Sequence, residues 1–343
     1  MSVLTQITRE FRGYNYLEGA ARLLDRKPLQ CSFYVTDRCN LDCSYCTEYD
    51  NAKPHPALAD LKRWLHKVRS LGTMRIALVG GEPLLHPDIV EIVRYCRELG
   101  FATSLTTNGF LLNRELIREL DAAGLEVMQI SVDRMTPSPI TKKSFKTILP
   151  KLDEFKDSRI QLHITGVICE DTLADSRAVL LTGLERGIPT EIRLVHADPQ
   201  RFFRVNRGDT TALRELLEWM IAAKRKGMKI HTNEAILQYQ LGLLNGERLD
   251  WTCTAGYKIF FVSAQGQFWL CSMQRNEKHI MDITLDDLFA NYRKKACQDG
   301  CGVYCAVSTS LLYEKPLQVA GRELVARAKR LPLFQERAAQ GAG

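Results

Sequence analysis

Three cysteines stand close together near the start of the chain, in the segment CNLDCSYC. They are Cys39, Cys43 and Cys46, with three residues in the first gap and two in the second. Thiolates are soft ligands that suit iron–sulfur clusters or zinc. A cubane [4Fe–4S] cluster takes four ligands and this segment supplies three, so one iron would stay open to a small chelating molecule. The alternative is a zinc knuckle with a distant fourth ligand, although zinc sites favour paired Cys-x2-Cys arms.

A glycine-rich tetrapeptide, Gly80-Gly81-Glu82-Pro83, follows an apolar segment further along the chain. Two glycines and a proline after a strand usually indicate only a tight strand-to-helix turn. The two motifs together, in this order and at this separation, resemble those of the radical S-adenosylmethionine (SAM) superfamily. CNLDCSYC, with Tyr45 just before its last cysteine, is similar to the cluster-binding signature of that superfamily, and GGEP is similar to its methionine-binding motif.

This resemblance implies a reaction and its cofactors. The three cysteines would hold a [4Fe–4S] cluster, and SAM would chelate the open iron through its amino and carboxylate groups. An electron from the cluster would cleave SAM to methionine and a 5′-deoxyadenosyl radical, which abstracts a hydrogen atom from the substrate. The electron would come from a reducing donor of the flavodoxin or ferredoxin type.

Predicted strands and helices alternate along the first two thirds of the chain. Six strands are predicted, at residues 31–36, 74–79, 101–106, 126–132, 159–168 and 190–195. Helices are predicted at 57–71, 87–99, 113–123, 144–156, 174–186 and 209–226. Such alternation favours parallel βα units. It fits the α/β fold that the resemblance implies, a partial (β/α)6 barrel of the TIM type followed by a small C-terminal domain with a β-hairpin and a helix.

The predicted strands alternate between apolar and polar residues. In the fourth strand Met128 and Ile130 share one face, while Gln129 and Ser131 share the other. A parallel sheet with both faces packed would be almost continuously apolar. With helices on the outside, the polar face must line the inside, which predicts a solvated, ligand-filled lumen with functional groups at the carboxyl ends of the strands. An antiparallel sheet with one solvated face is the alternative.

Several residues near the strand ends become candidate SAM ligands through the resemblance. The Gly80–Gly81 backbone can approach the methionyl amine because no Cβ intrudes, with Glu82 and Pro83 completing the motif. Tyr45 would contact the adenine. The candidates for ribose or methionine contacts are Asn108, Ser131, Asp133 and Arg193, the last through a charge-assisted bond to the methionine carboxylate. The structural alternatives are an Asn-Gly turn and helix capping by Ser or Asp.

The substrate would be bound by groups that project into the barrel. Inward groups that could bind it or transfer a proton are His163, Glu191 and His196, although an inward histidine can equally be structural. We favour a small metabolite or biosynthetic intermediate, changed in an oxidoreductase or bond-forming step. A peptide- or protein-modifying maturase is the alternative, and it ranks second because such enzymes often carry a leader-binding domain before a barrel that here starts near residue 31. A non-catalytic iron–sulfur electron carrier is the alternative from another class.

A second group of five cysteines begins near residue 250. Cys253 and Cys271 bracket an aromatic-rich segment that predicts a β-hairpin with its turn at Gln265-Gly266. Three more cysteines follow in CQDGCGVYC: Cys297, Cys301 and Cys305. The arrangement resembles the SPASM/Twitch extension of radical SAM enzymes, which carries one or two auxiliary [4Fe–4S] clusters. Five thiols suit one such cluster, with Cys297 as the doubtful ligand; a zinc ribbon is the alternative.

The resemblance and the composition together define the expected domains and setting. The expected domains are an N-terminal helical arm at 1–29, the barrel at 30–232, the auxiliary-cluster domain at 233–310 and a helical tail at 311–343. No apolar stretch is long enough for a membrane span and no signal peptide is visible. Eight of the eleven cysteines lie in the two metal-like groups, which favours a reducing, cytoplasmic setting. The net charge of +7 is spread along the chain and gives no indication of nucleic-acid binding.

Overall fold

The computed structural model describes residues 24–168, 172–194, 210–247 and 250–328. Within these residues, nine strands form one sheet in the order β6-β5-β4-β3-β2-β1-β7-β8-β9. Their bounds are β1 Gln30–Thr36, β2 Arg75–Gly80, β3 Ala102–Thr107, β4 Val127–Ser131, β5 Gln161–Ile168, β6 Thr190–Leu194, β7 Ile259–Val262, β8 Gln267–Cys271 and β9 Gln274–His279. The sheet is open, since β6 and β9 lie at its two edges.

The first six strands are all parallel, each paired with its neighbour in sequence. Helices connect them in turn: α1 Leu58–Ser70, α2 Ile89–Glu98, α3 Arg114–Ala122, α4 Phe145–Leu152 and α5 Leu173–Glu185. A short 3-10 helix, Pro83–Leu85, follows β2 directly. This succession confirms the predicted partial (β/α)6 barrel, and each predicted strand and connecting helix agrees with the structure apart from its ends.

The alternation in the strands separates an apolar core from an accessible inner face. In β3, Leu105 is fully buried and Thr106 is partly exposed; in β4, Ile130 is fully buried and Gln129 is partly exposed. Thr106 pairs in register with Gln129, and Gln129 with His163, so these three side chains share one face of the sheet. The apolar residues of the opposite face pack against the helices. The predicted polar inner face is therefore confirmed for these strands.

The segment after residue 250 extends the same sheet. β7 pairs in parallel with β1, β8 pairs antiparallel with β7, and β9 pairs antiparallel with β8. The predicted hairpin is thus present. A further strand, β9, follows the hairpin and was not predicted, because its sequence QRNEKH carries no alternating apolar residues. This strand lies at the sheet edge and is mostly exposed. A short, charged edge strand resists pairing with other chains.

Five helices complete the described residues. They are α6 Thr211–Arg225, α7 Glu234–Leu244, α8 Leu285–Ala290, α9 Tyr304–Glu314 and α10 Pro316–Ala328. A second apolar cluster, with Tyr34, Trp251 and Trp269, forms between β1, the hairpin, α7 and α9. Cys253 and Cys271 belong to this cluster. None of the helices in the described residues has the length and apolar character that crossing a bilayer requires.

Part of the predicted organisation lies outside the described residues. This holds for most of the N-terminal arm at 1–29, for the tail beyond residue 328 and for His196. α7 was not predicted, because its sequence EAILQYQLGLL is apolar on most sides and gives a weak amphipathic pattern.

Candidate active site

The cysteine loop follows the carboxyl end of β1 and is held by its own backbone. The Cys46 N–H donates to the Cys43 carbonyl at 3.0 Å, and the Leu41 N–H donates to the Cys39 sulfur at 3.4 Å. The Cys39 N–H donates to the Asn51 side chain at 2.9 Å. These hydrogen bonds hold the three cysteines on one compact loop.

The chemistry of the three thiols fits an iron–sulfur cluster. Burial raises the pKa of Cys39 to about 11, and the nearby Glu82, Cys46 and Cys43 act in the same direction. Burial also raises the pKa of Cys46. No three His, Cys, Asp or Glu side chains of the described residues already stand at metal-site geometry. The fit therefore rests on three soft donors that lie within electrostatic range of one another beside an acidic motif.

The GGEP turn lies directly against the chain that leads into the cysteines. The Gly81 N–H donates to the Thr36 carbonyl at 3.0 Å, and the Glu82 N–H donates to the Arg38 carbonyl at 2.7 Å. Gly80 has φ +150°, and a Cβ on it would overlap the Thr36 carbonyl oxygen. A Cβ on Gly81 would lie 2.6 Å from the Arg38 carbonyl carbon. The two glycines are therefore required by the close approach of the two motifs.

The Glu82 carboxylate joins the ends of β2 and β3. It is buried, and it accepts hydrogen bonds from the Thr107 hydroxyl at 2.7 Å, the Asn108 N–H at 2.7 Å and the Leu84 N–H at 3.0 Å. Burial raises its pKa, and these three bonds act against that rise. The predicted place of Glu82 in a methionine-binding motif stays a prediction; in the structure its carboxylate links the ends of the two strands.

Asn108 connects the end of β3 to the cysteine loop. Its side-chain amide donates to Asn40 Oδ1 at 2.7 Å, and its own Oδ1 accepts from the Phe110 N–H at 3.0 Å. Asn40 lies between Cys39 and Cys43 and was not among the predicted site residues. Ser131, at the end of β4, is partly exposed on the same face of the sheet as Thr165 and Glu191.

Tyr45 and Asp133 contact each other across the mouth of the barrel. The Tyr45 hydroxyl donates to Asp133 Oδ2, and the Val167 N–H donates to Asp133 Oδ1 at 3.0 Å. Lys143 Nζ forms an ion pair with the same carboxylate at 3.3 Å and lies 4.9 Å from the Tyr45 ring centroid. The predicted contacts of Tyr45 with adenine and of Asp133 with ribose or methionine stay predictions. Lys143 was missed because nothing local in the sequence marks it.

Glu191 and Arg193 form a charge pair on β6 at the boundary with the cysteine-rich segment. The Arg193 guanidinium donates to the Glu191 carboxylate and lies 4.1 Å from the ring centroid of Tyr304 in α9. The Glu191 side chain is 1% exposed and that of Arg193 is 27% exposed. Arg193 also interacts electrostatically with Cys305. The structure thus directs Arg193 towards the second cysteine group, while its predicted SAM contact is untested.

His163 lies on β5 beside a histidine that the sequence did not single out. The rings of His163 and His231 have centroids 4.2 Å apart. The backbone N–H of His231 donates to the Thr190 carbonyl at 2.8 Å. His163 is buried. Two imidazoles in van der Waals contact on the inner face can bind polar groups or exchange a proton.

Each of the five C-terminal cysteines lies within electrostatic range of at least one other. Cys301 interacts electrostatically with Cys253, Cys271 and Cys297, and burial raises its pKa to about 12. Burial raises the pKa of Cys305 to about 11, with Arg193 acting against that rise and Cys271 adding to it. Cys297 is exposed and the other four are buried or partly buried. A shared thiol neighbourhood of this size fits one four-iron cluster.

A sequence profile of the radical SAM superfamily matches residues 33–180. Curated relatives include molybdenum cofactor biosynthesis protein 1 of Bos taurus, PqqA peptide cyclase of Gluconobacter oxydans and GTP 3′,8-cyclase of Clostridium acetobutylicum. Their identities are 29%, 34% and 30% over 54%, 33% and 48% of this chain. The matches cover 31%, 32% and 55% of the relatives, so the chain spans about a third to a half of their lengths.

Solved structures share the fold over a longer stretch. Native anSMEcpe with bound AdoMet has a TM-score of 0.60 at 17% identity, over 87% of this chain and 100% of the other. SuiB of Streptococcus suis, bound to its precursor peptide SuiA, has a TM-score of 0.59 at 16% identity, over 80% and 67%. The profile match includes both the cysteine loop and the glycine turn. Residues 33–180 form a radical SAM domain.

Proposed function

We propose that this protein is a radical SAM enzyme that reductively cleaves SAM and abstracts a hydrogen atom from a small metabolite or biosynthetic intermediate. Cys39, Cys43 and Cys46 hold the cluster. When bound, the cluster supplies the electron and the SAM supplies the 5′-deoxyadenosyl radical that removes the hydrogen atom. The electron enters from a reducing donor of the flavodoxin or ferredoxin type.

The observation that carries this proposal is the direct backbone contact between the two motifs. Gly81 and Glu82 donate to the carbonyls of Thr36 and Arg38, immediately before the first cluster cysteine. A molecule that binds the backbone edge of the glycine turn is thereby brought next to the cysteine loop. Such a fixed distance is what a chelating ligand needs in order to contact both places at once.

The substrate would bind on the inner face, where the partly exposed polar residues lie. Thr106, Gln129 and Ser131 offer hydroxyl and amide groups. At the β6 edge, Glu191 Oε2 and Arg193 Nε have no hydrogen-bond partner among the described residues. A buried acceptor beside a buried donor favours a polar substrate, because an apolar one would leave both unpaired. Of the residues predicted to transfer a proton, His163 and Glu191 lie within the described part of the chain.

A peptide or protein substrate is the second candidate. A relative at 34% identity is named PqqA peptide cyclase, and the fold of this chain is like that of SuiB, which was solved with its precursor peptide. A relative at 30% identity is named GTP 3′,8-cyclase and thus acts on a small molecule. The open barrel is compatible with either class of substrate.

The cysteine-rich segment would carry one auxiliary [4Fe–4S] cluster. Four of the five thiols at 253, 271, 297, 301 and 305 suffice to cap its irons, and a fully capped cluster has only electron transfer left to it. The alternative for this segment is a zinc ribbon, which is tested by measuring the metal content of the purified protein. A zinc ribbon would give one zinc per chain and less iron than two clusters require.

The proposal is tested by incubating anaerobically reconstituted, reduced protein with SAM and measuring 5′-deoxyadenosine. We expect product with wild type and with Cys96→Ala, which removes a buried thiol of α2 outside both cysteine groups, and none with Cys43→Ala. A wild type that binds two clusters yet forms no 5′-deoxyadenosine would support an electron carrier instead. The substrate class is tested by supplying a deuterated small-metabolite extract and deuterated peptides in separate reactions. The substrate belongs to the class that transfers deuterium into 5′-deoxyadenosine.

A further inference from the structure

The segment between β4 and α4, residues 133–143, packs against the cysteine loop. The Ser44 N–H donates to the Ile140 carbonyl at 3.0 Å. Thr141, which is 1% exposed, places its hydroxyl oxygen 3.3 Å from the Cys43 sulfur. Cys43 is itself buried. A polar group from a distant part of the chain therefore contacts the sulfur of a predicted cluster ligand in a site closed to water.

The Thr141 hydroxyl has one proton and two acceptors within reach. Its oxygen lies 3.2 Å from Asp133 Oδ2 as well as 3.3 Å from the Cys43 sulfur, and it accepts from the Lys143 N–H at 3.2 Å. When Cys43 is a thiol, its S–H can donate to Thr141, whose own proton then serves Asp133. A cluster-bound cysteine is a thiolate and can only accept. When Cys43 is a thiolate, a hydrogen bond between the two groups therefore requires the Thr141 hydroxyl to donate its proton to the sulfur.

Asp133 can release this proton because other donors surround its carboxylate. Oδ2 accepts from the Tyr45 hydroxyl and pairs with Lys143 Nζ at 3.3 Å, and Oδ1 accepts from the Val167 N–H at 3.0 Å. The Asp133 side chain is fully buried and that of Lys143 is 15% exposed. The carboxylate therefore keeps a neutralising cation and two further hydrogen bonds when Thr141 turns to the sulfur.

We propose that Thr141 donates a hydrogen bond to the Cys43 thiolate and thereby raises the reduction potential of the three-cysteine cluster, with Asp133, Tyr45 and Lys143 holding it for that purpose. This rests on the proposed function, since it presumes that Cys43 is a ligand. The electron that enters a cluster adds negative charge to its sulfurs, so a donor at sulfur stabilises the reduced form more than the oxidised form. Thr141 is a positioning residue and does not touch the substrate.

The test compares Thr141→Val, which keeps the shape and removes the donor, with Thr141→Ser, which keeps the donor. The full chain is reconstituted anaerobically and titrated electrochemically with detection by EPR; the signal that changes on addition of SAM identifies the relevant cluster. We expect the equilibrium constant for reduction to fall by up to about tenfold in Thr141→Val, which is about 59 mV for one electron. Thr141→Ser is expected to match wild type.

Equal potentials in Thr141→Val and wild type, at equal cluster content, would overturn the inference and leave the proposed function standing. A wild type without any SAM-responsive cluster would instead refute the proposed function. If Thr141→Val fails to take up the cluster, Lys143→Met decides, with the exposed Lys142→Met as its control. Loss of the cation that supports Asp133 should lower the potential in Lys143→Met, and an unchanged potential there would contradict the inference.

Discussion

Gly81 packs directly against the backbone that leads into the cysteine loop. Its N–H binds the Thr36 carbonyl, and its missing Cβ leaves room for the backbone of Asp37 and Arg38. Both neighbours are main-chain atoms, which cannot rotate away as a side chain can. The position of the cysteine loop therefore depends on a residue that binds no iron itself.

We expect Gly81→Ala to displace the cysteine loop and to lower cluster uptake. Relieving the overlap should cost about 1–3 kcal/mol in the free energy of unfolding. The matched control is Gly321→Ala in α10, where nothing lies within 4 Å of the added Cβ. Iron and sulfide content and thermal unfolding of both variants provide the measurement. Full iron content in Gly81→Ala would contradict the role given to this glycine.

The residues of the site could be predicted from the sequence only where the signal is local. Cys39, Cys43 and Cys46 are recognisable because all three lie on one short loop. Thr141 contacts Cys43 across a separation of 98 residues, and a lone threonine has no pattern of its own. Its role depends on how the end of β4 is placed over the loop, which only the folded structure reveals.

Among the elements, strand β6 contacts helix α9 through the side chain of Arg193. Arg193 of β6 pairs with Glu191 and lies over the Tyr304 ring, one residue before Cys305. The contact connects the last strand of the barrel to the helix that carries the final cysteine. Because Glu191 is fully buried, loss of its partner would leave an uncompensated charge.

We expect Arg193→Gln to lower the free energy of unfolding by about 2 kcal/mol, less than for a fully buried pair because Arg193 is partly exposed. The double variant Glu191→Gln/Arg193→Gln should regain part of that loss, since no buried charge is left unpaired. Chemical denaturation of wild type, both single variants and the double variant measures the coupling. Strict additivity of the two substitutions would refute the buried pair.

Elements were predictable where periodicity was strong. The six parallel strands and their helices follow from alternating segments of the expected length. β9 and α7 were missed for opposite reasons: QRNEKH is polar on both faces, whereas EAILQYQLGLL is apolar on most of its surface. An edge strand and a buried helix both lose the contrast between two faces on which such predictions rely.

At the scale of the molecule, the barrel and the cysteine-rich segment share one sheet. β1 lies between β2 and β7, and Tyr34 of β1 packs against Trp269 of β8 with ring centroids 5.4 Å apart. The sequence indicated a separate small domain after the barrel. It could not reveal the shared sheet, because strand order across a long connection depends on tertiary pairing.

We expect truncation after residue 247 to prevent folding of the barrel. It would remove β7 and leave the apolar strand β1 as an open edge, which favours aggregation. The control is truncation after residue 328, which keeps every described residue. Soluble yield and size-exclusion chromatography are the measurements. A monodisperse, folded fragment 1–247 would show that the cysteine-rich segment is an independent addition.

We propose that Cys39, Cys43 and Cys46 hold a four-iron cluster with one iron open to SAM. Mössbauer spectroscopy of anaerobic, ⁵⁷Fe-reconstituted protein, with and without SAM, tests it most directly in wild type and in the triple variant Cys39→Ala/Cys43→Ala/Cys46→Ala. We expect two clusters in wild type, one of which changes at a single iron when SAM is added. In the triple variant we expect one cluster whose spectrum SAM leaves unchanged. Identical spectra for the two proteins, or a wild-type spectrum that SAM leaves unchanged, would contradict it.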